Sequence, residues 1–293
     1  MYAIKTEKLT KYYGKARGIV DLDLAVGAGE YFGFIGPNGA GKSTTIRSLL
    51  GLIRPTSGDA CVLGLDAVRD SVEIRRRVGY LPSEASLYPG MKVRDVLKMS
   101  ADLRKKDCSA ESARLCKRLD LDVSKKVDEL SFGNRKKVAI VCALQCDPEL
   151  LVLDEPTGGL DPLMQKEFFG LVGELNKKGT TVFMSSHVLH EVQKNCERAA
   201  VIREGRIIAC GSVGELSGTG AKRVTVRGKI DLALLGDVKD LRTEDGGESF
   251  LYGGDTNRLI AALSAGRVAD FTVTEPDLDE IFLHFYEKEG AEK

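Results

Sequence analysis

Gly36-Pro37-Asn38-Gly39-Ala40-Gly41-Lys42-Ser43-Thr44 lies between a short apolar run, Tyr31-Phe32-Gly33-Phe34-Ile35, and Thr45-Ile46-Arg47-Ser48-Leu49-Leu50, whose apolar spacing suits a helix. The order is strand, glycine loop, helix. The glycines let the backbone wrap an anion so that successive N–H groups converge on it, and the helix N-terminus adds partial positive charge to the same hollow. Lys42 then reaches the terminal phosphates of a nucleotide, and Ser43 offers its hydroxyl to a magnesium ion. The stretch reads as a nucleoside triphosphate site.

With 293 residues the chain has room for one sizeable core and a smaller companion. A formal net charge of +0 leaves no electrostatic footprint for nucleic acid or an anionic membrane surface, which argues weakly against both, since a local patch can hide in a neutral total; no nucleic acid is expected as a partner. The opening residues MYAIKTEKLT lack the apolar centre of a signal peptide, and runs such as 138–144 are too short to span a bilayer, so a soluble chain is expected. Seven cysteines without a C-x-x-C pair predict neither a disulfide framework nor a zinc site. Cys142 and Cys146, one turn apart in an apolar helical pattern, are expected to pack in the core of a protein from a reducing compartment.

Upstream of the glycine loop, residues 2–6 and 19–26 alternate as strands, and Tyr12-Tyr13 precede a turn at Gly14. An aromatic pair is ordinarily packing, and Tyr13 becomes a nucleobase platform only if the site lies beside it. Downstream, 54–59 is a turn, 60–64 a short strand, 68–77 a charged stretch, and Val78-Gly79-Tyr80-Leu81-Pro82 a strand ended by proline. Residues 93–121 are helical and charged, with a break near Asp107-Cys108-Ser109, as an insertion beside the main sheet. Leu150-Leu151-Val152-Leu153 then runs into Asp154-Glu155. A continuous apolar strand implies a parallel sheet covered on both faces, and its C-terminal edge is where such sheets place ligands. There Asp154 would hold magnesium through water, and Glu155 would orient or deprotonate an attacking water.

The apolar run 180–186 ends in His187, where an imidazole beside a phosphate site can sense or polarise the terminal phosphate; His190 is expected at the surface. A hairpin over 199–209 closes the first domain, 1–216. Residues 217–220 read as a linker into a second domain, 217–293. It shows strands at 223–227, 249–252 and 268–273, a glycine-rich turn at 245–247, a short helix at 257–263 and an amphipathic stretch at 276–286 with His284. No catalytic constellation occurs in it, which suits a structural, regulatory or assembly role.

The assembled order resembles the ATP-binding cassette (ABC) family, in particular the nucleotide-binding subunits of bacterial type-2 exporters. It comprises an aromatic residue before Gly14, the phosphate loop, the Gly79-Tyr80-Leu81-Pro82 strand and a helical insertion, then Leu130-Ser131-Phe132-Gly133-Asn134, Asp154-Glu155, Gly159-Leu160-Asp161 and Ser186-His187. The resemblance implies an α/β P-loop NTPase core with an antiparallel β subdomain, a helical subdomain over about 91–147, and a small C-terminal α+β appendix. It also implies that two copies face head to tail, each ATP with its Mg2+ lying between one copy's Gly36, Pro37, Asn38, Gly39, Ala40, Gly41, Lys42, Ser43 and Thr44 and the other's Ser131, Phe132, Gly133 and Asn134. On this view Lys42, Glu155 and His187 serve catalysis, Ser43 and Asp154 the metal, Tyr13 stacks on adenine and Asp161 relays between the two sites. One phosphate loop per chain makes a homodimer the simplest arrangement. The implied function is an ATPase that drives an integral-membrane permease, for export, from the cytoplasmic face of the cell membrane. The rival reading, a soluble cassette ATPase acting on DNA or ribosomes, is opposed by the neutral charge, the single cassette and the export-like tail; a switch GTPase lacks a guanine-reading Asn-Lys-x-Asp stretch.

Two positions depart from the family pattern. Phe132-Gly133 stands for its glycine pair, with Asn134 for the usual Gln. Ser83 stands where the family has a Gln that reaches magnesium and the water; serine is too short to do so directly, and a bridging water or a swing of Glu84 would have to substitute.

Overall fold

The computed structural model describes residues 1–217, 222–236, 238–244 and 246–274. They form two compact units, Met1–Cys210 and a second that begins at Gly211.

In the first unit, β1 (Tyr2–Tyr13) and β2 (Ala16–Gly27) make a long antiparallel hairpin. β3 (Tyr31–Ile35) is buried at every position and delivers the chain to the glycine loop and to α1 (Lys42–Leu49). β4 (Ser57–Val62) and β5 (Leu65–Asp66) return beside β1, giving an antiparallel sheet of order β2-β1-β4-β5. After α2 (Ser71–Arg77), β6 (Val78–Leu81) joins a second sheet. The helical insertion follows as α3 (Val93–Leu103) and α4 (Ser109–Arg118), with a 3-10 turn at Val127–Glu129 and then α5 (Phe132–Leu144). β7 (Leu150–Asp154), α6 (Pro162–Lys177), β8 (Thr181–Ser186), α7 (Leu189–Asn195), β9 (Arg198–Arg203) and β10 (Arg206–Ser212) complete the order.

The second sheet runs β10-β9-β3-β8-β7-β6, and its inner strands pair in parallel. Ile35 lies opposite Ser186, and Asp154 opposite Ser185, so the C-terminal ends of β3, β7 and β8 share one edge. Covering both faces explains why Leu150–Asp154 and Thr181–Ser186 are buried without alternation. Ile4, Leu9 and Leu22 of the antiparallel sheet join Ile46 and Leu49 of α1 and Phe32, Phe34 and Phe183 of the parallel sheet in one core. That core fixes the loop between them.

The second unit holds α8 (Val213–Ser217) and a four-stranded sheet of order β12-β13-β11-β14. Its strands are β11 (Lys222–Lys229), β12 (Val238–Glu244), β13 (Gly247–Tyr252) and β14 (Arg267–Thr274), all antiparallel. Helix α9 (Thr256–Ala265) starts under Asp255, whose carboxylate accepts from Asn257 N–H, and seats Leu259 and Ala262 on Val224, Val226 and Phe250. Residues 218–220 of the expected linker, Asp245, and the closing stretch 275–286 with His284 lie outside the described residues.

Three differences from the sequence reading have physical causes. The apolar run 138–144 lies within a longer helix that already begins at Phe132, because Ser131 takes the N-cap and its hydroxyl accepts from Asn134 N–H. β12 reads VKDLRTE, with Asp240 at positive φ, too polar and irregular to signal a strand. Cysteines are the clear correction: Cys108 and Cys146 form a disulfide with Cα atoms 5.4 Å apart, where no disulfide and simple core packing of Cys146 were expected. Sequence spacing alone does not pair residues 38 positions apart.

Candidate active site

The glycine loop is shaped by close approach. A Cβ on Gly36 would lie 2.4 Å from the Ile202 carbonyl oxygen, and Gly41, at φ +111°, would put one 2.8 Å from Ile19 Cγ2. Gly36 N–H donates to the Ser186 carbonyl and Gly205 N–H to the Ala40 carbonyl, tying the loop to β8 and to the β9–β10 turn. α1 follows with no side-chain cap and no acidic residue in its first turn, so its N-terminal N–H groups have no negative side chain to satisfy them locally.

Lys42 is 6 % exposed, and its ammonium donates to the carbonyls of Gly36 at 2.6 Å and Pro37 at 3.2 Å. It also stands 3.0 Å from Glu155 Oε1 as an ion pair, off the line of a hydrogen bond. The other carboxylate oxygen, Glu155 Oε2, meets His187 Nδ1 at 2.7 Å. Glu155 thus spans from the phosphate-loop lysine to the imidazole. It adopts φ +48°, an uncommon conformation for a glutamate, and its N–H donates to the Ser185 carbonyl at 3.2 Å. Just before it, Asp154 is 1 % exposed and its Oδ1 accepts from Ser185 Oγ at 2.7 Å.

Around the loop lies a cleft of about 320 Å3 lined by Tyr13, Arg17, Gly18, Pro37, Asn38, Gly39, Gly41, Lys42, Ser43, Thr44, Ser83 and Glu155. The structure therefore brings Tyr13, Ser83 and Glu155 to the phosphate loop from three distant parts of the chain. Tyr13 sits at the tip of the β1–β2 hairpin, about half exposed, with Lys11 Nζ 5.4 Å from its ring centre. Gly36, Ala40, Asp154 and His187 stand behind or beside the lining, through the contacts just given.

Ser131, Phe132, Gly133 and Asn134 do not line this cleft. Phe132 is exposed, and its ring covers Gly159, where a Cβ would lie 2.1 Å from Phe132 Cε1. Gly159 also has φ +80°. Asp161, expected to relay between sites, caps α6 through Oδ1, which accepts from Met164 N–H at 3.0 Å.

Arg17 and Lys136 were missed by the sequence reading. Lys136 is 2 % exposed, and its ammonium donates to the carbonyls of Ser83 at 2.8 Å, Pro82 at 3.1 Å and Glu155 at 3.4 Å. Burial pushes its pKa down to about 8, against the pull of the Asp154 and Glu155 carboxylates. Burial likewise pushes Tyr80 up to about 12, with Asp154 adding to the effect. The available signal was register: Lys136 lies one turn before the buried Ile140, on the core side of α5.

The donors at this edge are oxygens of the kind a magnesium ion takes: the Ser43 hydroxyl in the cleft and the Asp154 carboxylate behind it. Among the described residues no cluster of three or more His, Cys, Asp or Glu side chains could hold a metal by itself. An ion here would have to draw most of its ligands from phosphate and water, as magnesium commonly does.

The "ABC transporter" family profile matches residues 19–158. The chain is 34 % identical over 297 residues to the ABC transporter ATP-binding protein YhaQ of Bacillus subtilis (strain 168), covering 97 % of this chain and 98 % of that one. It is 33 % identical over 301 residues to the daunorubicin/doxorubicin resistance ATP-binding protein DrrA of Streptomyces peucetius, covering 96 % and 91 %. A solved structure titled "Structure of ATP binding subunit of ABC transporter" aligns with TM-score 0.69 and 29 % identity, over 74 % of this chain and 92 % of that one.

Proposed function

This chain belongs to the ABC transporter ATP-binding family, and from that premise we propose that it hydrolyses Mg-ATP to drive an integral-membrane permease, in the direction of export. The observation that carries the catalytic part is Glu155 held between Lys42 at 3.0 Å and His187 at 2.7 Å, at the mouth of the phosphate loop.

In this reading the loop N–H groups and Lys42 hold the β- and γ-phosphates and stabilise the charge that spreads over the transferred phosphoryl group. Lys42 exchanges the loop carbonyls and Glu155 for phosphate oxygens, which frees the Glu155 carboxylate to align the attacking water. His187 keeps that carboxylate in place and faces the γ-phosphate. Ser43 and Asp154 would hold a magnesium ion, which would supply charge to neutralise the phosphates when bound. Tyr13 stacks on the adenine.

The cleft lacks the Ser131–Asn134 segment, and this supports a second copy supplying it. Ser131 and the N-terminus of α5 would form an anion-binding end, and it lies outside the cleft of its own chain's phosphate loop. A homodimer on the cytoplasmic face of the membrane, bound to permease subunits, follows from this reading. Among the described residues no helix is long and apolar enough to cross a membrane, so the path for cargo lies in the partner. The name of DrrA, a drug-resistance protein, supports export.

Glu155→Gln tests the assignment. The variant is expected to bind ATP with parental affinity and to dimerise on binding it, while turnover falls at least about a hundredfold. Parental ATPase activity in that variant would remove Glu155 from the water-positioning role.

A further inference from the structure

The Cys108–Cys146 bond lies where the nucleotide chemistry has no use for it. Cys108 is the N-cap residue of α4, and Cys146 stands just past the end of α5, before β7. Both are more than nine-tenths buried and pack with Ala101. Of the two, only Cys108 lines an open groove of about 830 Å3 between α3 and α4.

The bed of that groove is apolar, with Leu97, Ala101 and Leu121, and its flanks are charged. Arg94, Lys98, Lys105 and Lys106 outnumber Asp102 and Asp107 among the lining residues. The volume lies within the range that encloses small-molecule ligands, and the excess of cations favours an anion. Lys106 marks where this groove meets the disulfide: its ammonium donates to the Cys146 carbonyl at 2.9 Å.

We propose that Cys108–Cys146 is a reversible redox site for an anionic low-molecular-weight thiol and its disulfide, reached through the α3–α4 groove. The incoming thiolate attacks Cys108 Sγ, since Cys108 is the residue of the pair that lines the groove. The Cys108–Cys146 bond breaks, and its electron pair leaves on Cys146 Sγ, which takes a proton from solvent. A second thiolate attacks the ligand sulfur of the mixed disulfide, releasing the external disulfide and the Cys108 thiolate, which is protonated in turn. Two external thiols are oxidised as one protein disulfide is reduced, and the external disulfide drives the reverse.

Neighbouring cysteines are poor substitutes. Burial pushes the Cys142 thiol up to about 11 and raises Cys116 as well, which withholds the thiolate that exchange requires. The closed loop contains all of α4, Ser131 and α5. Exchange therefore acts on the anchorage of the helix that begins at Ser131, without touching the phosphate loop.

The test uses the full chain equilibrated in glutathione and glutathione disulfide buffers, then quenched by alkylation and mapped by peptide mass. Cys108 and Cys146 are expected to be linked in the oxidising buffer and both alkylated in the reducing one, while Cys61, Cys116, Cys142, Cys196 and Cys210 react alike in the two. In Cys146→Ser, glutathione should be trapped on Cys108. Lys98→Glu with Lys105→Glu should slow exchange with glutathione by about fivefold or more and leave exchange with uncharged 2-mercaptoethanol within about twofold. Free Cys108 and Cys146 in both buffers, an adduct on Cys210 in place of Cys108, or equal slowing of both thiols would overturn the proposal. The first measurement needs no substitution, so a variant that fails to fold does not rescue it.

Discussion

Glu155 holds φ +48° at the end of β7, a conformation that costs a non-glycine residue about 1 kcal/mol or more and persists only where the surroundings enforce it. Lys136 is one of the groups that enforce it. From α5 its ammonium reaches the carbonyls of Glu155, Ser83 and Pro82 together, so the helix capped by Ser131 also fixes Glu155 and the Ser83 loop. Ser83 takes part in this link through its backbone carbonyl. Lys136→Met is accordingly expected to lower kcat by about tenfold with the KM for ATP changed less than about twofold, whereas Lys136→Arg should recover part of the loss. Steady-state ATPase kinetics on the three proteins decide it. The meeting of Lys42, Glu155 and His187 was legible in the sequence because Lys42 closes the glycine loop, while Glu155 and His187 each follow an apolar strand of a parallel sheet, where ligand edges fall. Lys136 was not, because Arg135-Lys136-Lys137 reads as a solvated charge run until a helix register turns the middle residue inward.

At the scale of elements, Gly159 and Phe132 join the turn before α6 to the first turn of α5. Gly159→Ala meets both a positive φ and the Phe132 ring, and is expected to cost about 1–3 kcal/mol, read as a lowered Tm. Adding Phe132→Gly should return the steric part and leave the conformational part, a double-mutant cycle with nonzero coupling. Strand ends are tied in a different way. Arg77, ending α2, and Glu149, just before β7, form a two-pronged bond at 2.7 and 2.6 Å, and that bond holds the Glu149 carboxyl below the usual carboxylate range. A carboxylate whose folded value lies below its unfolded one contributes stability that is present above about pH 4.5 and is lost as pH falls through the folded value. The pair is half exposed, so its contribution is about 1 kcal/mol or less. Glu149→Gln should therefore unfold a few degrees below the parent at pH 7, and the gap should close as the pH falls through the folded value below 4.5, followed by thermal melts across that range. These two charges belong to different elements; nothing in their local sequence pairs them.

For the whole molecule, the order of parts along the chain was readable because each apolar run has one role in a layered sheet: strand, loop, helix, strand. Less readable were parts defined by distant partners. The Cys108–Cys146 bond joins two points of the helical insertion, and β12 gains its strand geometry from β13. The segment Ser131–Asn134 is the most consequential of these, since it belongs to the same chain as the phosphate loop yet is absent from that loop's cleft. In the head-to-tail dimer proposed above, damage to the two parts would not be equivalent to damage to one site. A chain carrying Lys42→Ala spoils the pocket it owns, while a chain carrying Ser131→Arg spoils the pocket of its neighbour. Homodimers of either variant contain no whole site. Pair the two chains and both lesions fall on the same pocket, leaving the other intact. Coexpression of two inactive alleles should therefore restore a fraction of ATPase activity that neither shows alone, the pattern of intragenic complementation.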